Sequence, residues 1–72
     1  MAGVVVELIE LRCATRAMVG RARAAEEAAR LRATQTPGEA GAAGLYGDLQ
    51  RLREMAQEAA AAVTRMAAEL DL

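Results

Sequence analysis

The chain predicts an all-α fold, an antiparallel two-helix hairpin that is alanine-rich and coiled-coil-like, and three observations carry that expectation. Small or apolar positions recur at Val4, Leu8, Leu11, Thr15, Met18, Ala22, Ala25 and Ala29, and again at Leu45, Leu49, Leu52, Ala56, Ala59, Val63, Met66 and Leu70. Both series step alternately by four and three, the spacing of a seam between packed helices. Between them lies a break, Thr34-Gln35-Thr36-Pro37-Gly38. Folding the chain there sets Val4 against Leu70, Leu8 against Met66 and Ala29 against Leu45, every pair symmetric about Pro37.

The first helix is expected over about 4–33, after a flexible start at residues 1–3. Val4-Val5-Val6 is β-branched and favours a strand locally, but Leu8-Ile9-Glu10-Leu11 continues at helical spacing and no second strand is available to pair with it. Glu7 and Glu10 lie early in this helix and Arg30 and Arg32 near its end, each on the favourable side of the helix dipole. Gly20 lies mid-helix, away from the expected seam, and weakens the helix relative to alanine by up to ~1 kcal/mol.

The turn carries a capping-box pattern, with Thr36 as N-cap, Pro37 at the first helical position and Glu39 three residues after Thr36. Gly38, Gly41, Gly44 and Gly47 then recur every third residue and oppose a regular helix. The segment 34–44 is therefore expected to be a turn with a loose lead-in, and the second helix to be firm over about 45–70. On this register the leucines at 45, 49 and 52 face the alanines at 29, 25 and 22, large against small. The flanking charges pair poorly: Glu7 meets Glu69, and Glu26 meets Tyr46. Apolar register alone must then set the pairing, and the same contacts made between chains would give an exchanged dimer.

Composition narrows the functional classes. A single domain of 72 residues with one cysteine, Cys13, and no histidine has neither an internal disulfide nor the usual metal ligands to reinforce a thin two-helix core. The predicted remedy is assembly into a multi-helix bundle with itself or with a partner. The formal net charge of −1 favours neither nucleic acid nor an acidic surface. Nineteen alanines support helix. No apolar run approaches the ~20 residues that span a bilayer. Glu7 and Glu10 interrupt the apolar region of a secretory signal and weaken a mitochondrial presequence reading, for which residues 11–25 carry Arg12, Arg16, Arg21 and Arg23 with no acid. The expected compartment is reducing, cytoplasmic or nuclear.

An enzyme is not expected. Without histidine or serine the usual nucleophile–base pairs cannot be built, and Cys13 lacks a base to activate it. Glu54 and Glu58 share a helix face, but such spacing is routine on solvated helices. The glycines of 38–47 follow no strand and precede no lysine, so they form no phosphate loop. No catalytic, cofactor or metal site is assigned.

Two surfaces remain. Arg16, Arg23 and Arg30 repeat at seven, with Arg12 one turn earlier, and form a stripe for electrostatic contact. Tyr46 is the one aromatic residue, so the stripe lacks the stacking partners of single-stranded nucleic-acid binders. The second is apolar. Val5, Val6, Ile9 and Leu72 lie off the expected seam at the open end of the hairpin, with Leu8, Leu11, Met66 and Leu70 beneath them. An exposed apolar group of this kind marks an association surface. The function expected is a non-enzymatic protein–protein interaction module, a coiled-coil subunit or adaptor. The alternative is a membrane-surface or nucleic-acid adaptor that uses the arginine stripe.

Overall fold

The computed structural model describes residues 2–72. Two helices, α1 (Ala2–Gln35) and α2 (Ala42–Glu69), pack against each other along their length as a hairpin, with no strand among the described residues. Both helices reach closer to the turn than the sequence implies. Helix is already present at Ala2 and Gly3, where a flexible start is expected, while Met1 lies outside the described residues. Of the segment expected to be loose, Ala42 to Gly44 is helical.

The connection is two tight turns in succession. The Glu39 amide donates to the Thr36 carbonyl (3.2 Å), and the Ala42 amide to the Glu39 carbonyl (3.3 Å). In each turn the third residue is a glycine at positive φ, Gly38 at 89° and Gly41 at 82°. Proline at the second position and glycine at the third are the residues that a type II turn demands. Glycine is the residue that adopts this backbone without steric cost. Gly41 is also the N-cap of α2, with no side-chain capping bond.

The capping box expected at Thr36 is therefore not formed. Thr36 instead closes α1, its amide bonding the Arg32 carbonyl at 2.9 Å. Its hydroxyl lies 2.6 Å from that carbonyl and 2.9 Å from Glu39 Oε2. Glu39 is gripped by the Arg32 guanidinium, Nε on Oε2 at 2.9 Å and Nη2 on Oε1 at 2.7 Å. The fork straps the turn to the last turn of α1.

At the other end α2 stops in a Schellman motif. The Asp71 amide reaches the Ala68 carbonyl (3.1 Å) and the Leu72 amide the Ala67 carbonyl (3.0 Å). Asp71 takes the left-handed conformation, φ 58°, that glycine usually fills there.

The particle measures 53 × 14 × 13 Å, with a radius of gyration of 16.1 Å, against roughly 11 Å for a compact globule of this length. It is a rod two helices wide. Each helix therefore buries one stripe and leaves the rest of its surface open.

The buried stripe is rotated from the one expected. In α1 it runs Val5, Leu8, Arg12, Thr15, Val19, Ala22, Glu26, Ala29 and Ala33, all buried or half-buried. In α2 it runs Ala42, Tyr46, Leu49, Arg53, Ala56, Ala60, Val63, Ala67 and Leu70. The 3–4 spacing persists, and the two series mirror each other about the Pro37–Gly38 bond. Every second expected position is retained: Leu8, Thr15, Ala22 and Ala29, with Leu49, Ala56, Val63 and Leu70. The others are displaced by one residue. Val4, Leu11 and Met18, and on α2 Leu45, Leu52 and Met66, lie outside the seam and are exposed.

The innermost positions of the seam are small. A six-residue connection holds the helices close, and close approach wants small side chains between them. The most buried residues are Ala56, Ala67, Ala22, Val63, Ala29 and Leu8, mostly alanines. Tyr46 and Arg53 take the places facing Ala29 and Ala22, and the leucines at 45 and 52, one residue earlier, lie outside the seam.

Candidate interaction surface

In heptad terms, Val5, Arg12, Val19, Glu26 and Ala33 occupy the a positions of α1, and Leu8, Thr15, Ala22 and Ala29 the d positions. In α2, Tyr46, Arg53, Ala60 and Ala67 are a, and Ala42, Leu49, Ala56, Val63 and Leu70 are d. The residue before each a is g, which flanks d; the residue after each d is e, which flanks a. In an antiparallel pair the two g rows lie on one side of the hairpin and the two e rows on the other. That geometry gives the rod two unlike sides.

The d/g side is apolar from the open end as far as Ala25 on α1 and Leu45 on α2, and Arg32 closes the g row of α1 beside the turn. Its g rows are Val4, Leu11, Met18 and Ala25 on α1, and Leu45, Leu52, Ala59 and Met66 on α2. The six large side chains among them are 44–52% exposed. Among the d positions beneath, Thr15 is the one polar residue. Its hydroxyl turns back to the Leu11 and Arg12 carbonyls at 2.8 and 3.2 Å, which leaves its methyl for packing. No charge interrupts these rows over about 31 Å of helix.

The a/e side is polar. Its e rows carry Ile9, Arg16, Arg23 and Arg30 on α1, with Gln50, Gln57 and Thr64 on α2. Three charged residues enter the seam from this side, Arg12, Glu26 and Arg53, all half-buried. Glu26 and Arg53 meet across the seam, Nε donating to Oε2 at 2.6 Å, while Arg53 Nη1 donates to Gln57 at 2.9 Å. The hydrogen bond to Glu26 raises the Arg53 pKa, so the guanidinium stays charged at every accessible pH. Glu26 was expected beside Tyr46; the cross-helix pair was missed because the expected seam put residues 25 and 52 inside and left 26 and 53 on its rim.

The open-end group is divided by this geometry. Val5 enters the seam, Val6 and Ile9 are exposed toward the polar side, and Leu11 and Met66 are exposed on the apolar side. Leu8 is buried and Leu70 half-buried between the two sides. Leu72, beyond the end of α2, is exposed. These eight residues do not form one patch. Met18, Leu45 and Leu52, expected as core, are exposed on the apolar side.

The arginine stripe is likewise uneven. Arg12 is half-buried, Arg16 and Arg23 are exposed, and Arg30 is engaged by Glu27 (Nε to Oε2, 3.0 Å). Cys13 is an exposed free thiol. Among the described residues no cluster of histidine, cysteine or carboxylate side chains is arranged to hold a metal ion. A cleft of about 130 Å³ beside the turn has Arg32 and Glu39 as its charged groups, and they are bonded to each other. No helix among the described residues is long and apolar enough to cross a membrane.

The fold and its unlike sides define an antiparallel helical hairpin with one apolar flank. Comparison with protein-family models, curated proteins and solved structures found no match to this chain.

Proposed function

We propose that this chain is a non-enzymatic protein–protein interaction module, a small helical subunit whose apolar d/g side is covered by helices of another protein chain. The observation that carries the reading is the continuity of that side: two apolar rows, six of their eight side chains large, run without a charge for about 31 Å, from the open end to Ala25 and Leu45. An exposed surface of this extent is costly in water and typical of an association site. Of the residues expected to bind a partner, Leu8, Leu11, Met66 and Leu70 belong to this side. Val5, Val6, Ile9 and Leu72 would lie at its margin or beyond it. The free thiol of Cys13 fits a reducing compartment, cytoplasmic or nuclear.

In-cell photo-cross-linking tests the reading. A photoreactive residue at Leu52 is expected to capture a protein, whereas the same probe at exposed Ala24, outside both g rows, is not. Equal capture at both positions, or none at Leu52, would overturn it.

A second reading, an adaptor for anionic membranes or nucleic acid, is supported by Arg16 and Arg23, exposed on one face without a salt-bridge partner among the described residues. Salt separates the two. Binding through the arginines weakens steeply as salt is added, and apolar docking does not.

A further inference from the structure

We infer that the helices covering the d/g side belong to a second copy of this chain, packed face to face and antiparallel to form a four-helix bundle. This rests on the interaction-module reading and names its partner.

Area is the first argument. With the copies overlapping about Ala14 and Ala60, Leu45 lies beyond the overlap, and the g side chains Val4, Leu11, Met18, Leu52 and Met66, together with Met55, offer on the order of 500 Å² per copy and roughly 1,000 Å² for a pair, the threshold of a specific interface. The paired d positions and the adjoining rim add to that.

Complementarity is the second. Place a twofold axis across α1 beside Ala14 and across α2 at the level of Ala60. Leu11 then lies beside Met18 of the second copy and Val4 beside Ala25, so large side chains meet large near the axis and large meets small at the ends. On α2, Met66 lies beside Met55 of the second copy. That gives a place to Met55, which is 62% exposed in the isolated hairpin.

Charge decides the orientation. Glu7 and Arg21 both lie on the outer rim of the apolar side, at the c positions. In the antiparallel arrangement each Glu7 faces Arg21 of the other copy. In the parallel arrangement Glu7 faces Glu69 instead, and Arg21 faces Met55. Two like-charge contacts become two opposite-charge contacts on reversing one copy. The net charge of −1 per chain adds little long-range repulsion.

The test is sedimentation equilibrium of the full chain, with disulfide trapping of the Ala14→Cys variant in a Cys13→Ser background. Two Ala14 positions flank the axis of the antiparallel pair, but Ala14 sits opposite Ala62 in the parallel one. The expected result is a two-chain mass that dissociates on dilution, and a cross-linked dimer on mild oxidation of the Ala14→Cys variant. A two-chain mass with no Ala14→Cys cross-link would overturn the antiparallel arrangement. A monomer at all concentrations, with Leu52 still capturing a protein of different mass in cells, would overturn the second copy while leaving the module reading intact.

Discussion

Glu26 and Arg53, one from each helix, form the cross-helix ion pair of the hairpin, and both are half-buried, 16% and 22% exposed at the side chain. They occupy seam positions where apolar residues would pack better. A pair of this kind contributes little net stability, but either member left alone is a charge held partly out of water. Arg53→Leu or Glu26→Leu alone should therefore lower Tm, and the double variant should recover to the wild-type value or above it. Thermal unfolding by circular dichroism at fixed chain concentration checks this; simply additive losses would contradict it.

The hairpin, the place of its turn and half of its seam were legible in the sequence. Leu8, Ala22, Ala56 and Val63 are seam residues on either reading, because they recur at seven and are small or apolar. The rotation was not legible. The d/g stripe is more apolar than the true a/d seam, which holds Arg12, Glu26 and Arg53. A pattern search follows the most apolar stripe, and here that stripe is half inner seam and half outer surface. The connection was misread for a local reason: Thr36 and Glu39 have capping-box spacing, but the positive φ of Gly38 and Gly41 spends those residues on turns.

The turn glycines and the helical glycines should respond oppositely to alanine. Gly38→Ala and Gly41→Ala force an L-residue into the left-handed region and should each cost about 1–2 kcal/mol. Gly20 lies in α1 with open space around an added Cβ, so Gly20→Ala should stabilise by about 0.5–1 kcal/mol. Urea unfolding of the three variants measures both signs.

Asp71 offers a gain at the end of α2. Its left-handed backbone in the Schellman motif suits glycine, and Asp71→Gly should stabilise by about 1 kcal/mol. Faster amide exchange at Leu72 in the variant would contradict the expected tightening of the cap.

Acid should loosen the turn before the seam's apolar contacts. The Arg32 fork, helped by the Thr36 hydroxyl, holds the Glu39 carboxyl below the ordinary carboxylate range, and the Arg30 hydrogen bond does the same for Glu27. A carboxyl lowered in the folded state contributes stability above its unfolded value of about 4.3, and that contribution is lost as pH falls through the folded value. Tm should be flat from pH 7 to about 5 and decline below about 4. The decline should be small and salt-sensitive because both pairs are exposed, and shallower in Glu39→Gln.

The central claim is that association uses the apolar d/g side and not the polar one, and two neighbouring residues of α1 separate these most directly. Leu11 lies on the apolar side and Ile9 on the polar side, with similar exposure, 47% and 41%. Sedimentation equilibrium of Leu11→Glu and Ile9→Glu, each beside the wild-type chain, is the decisive comparison. The account predicts loss of the associated species in Leu11→Glu and its retention in Ile9→Glu. Retention in Leu11→Glu with loss in Ile9→Glu would contradict it and return the contact to the open-end group.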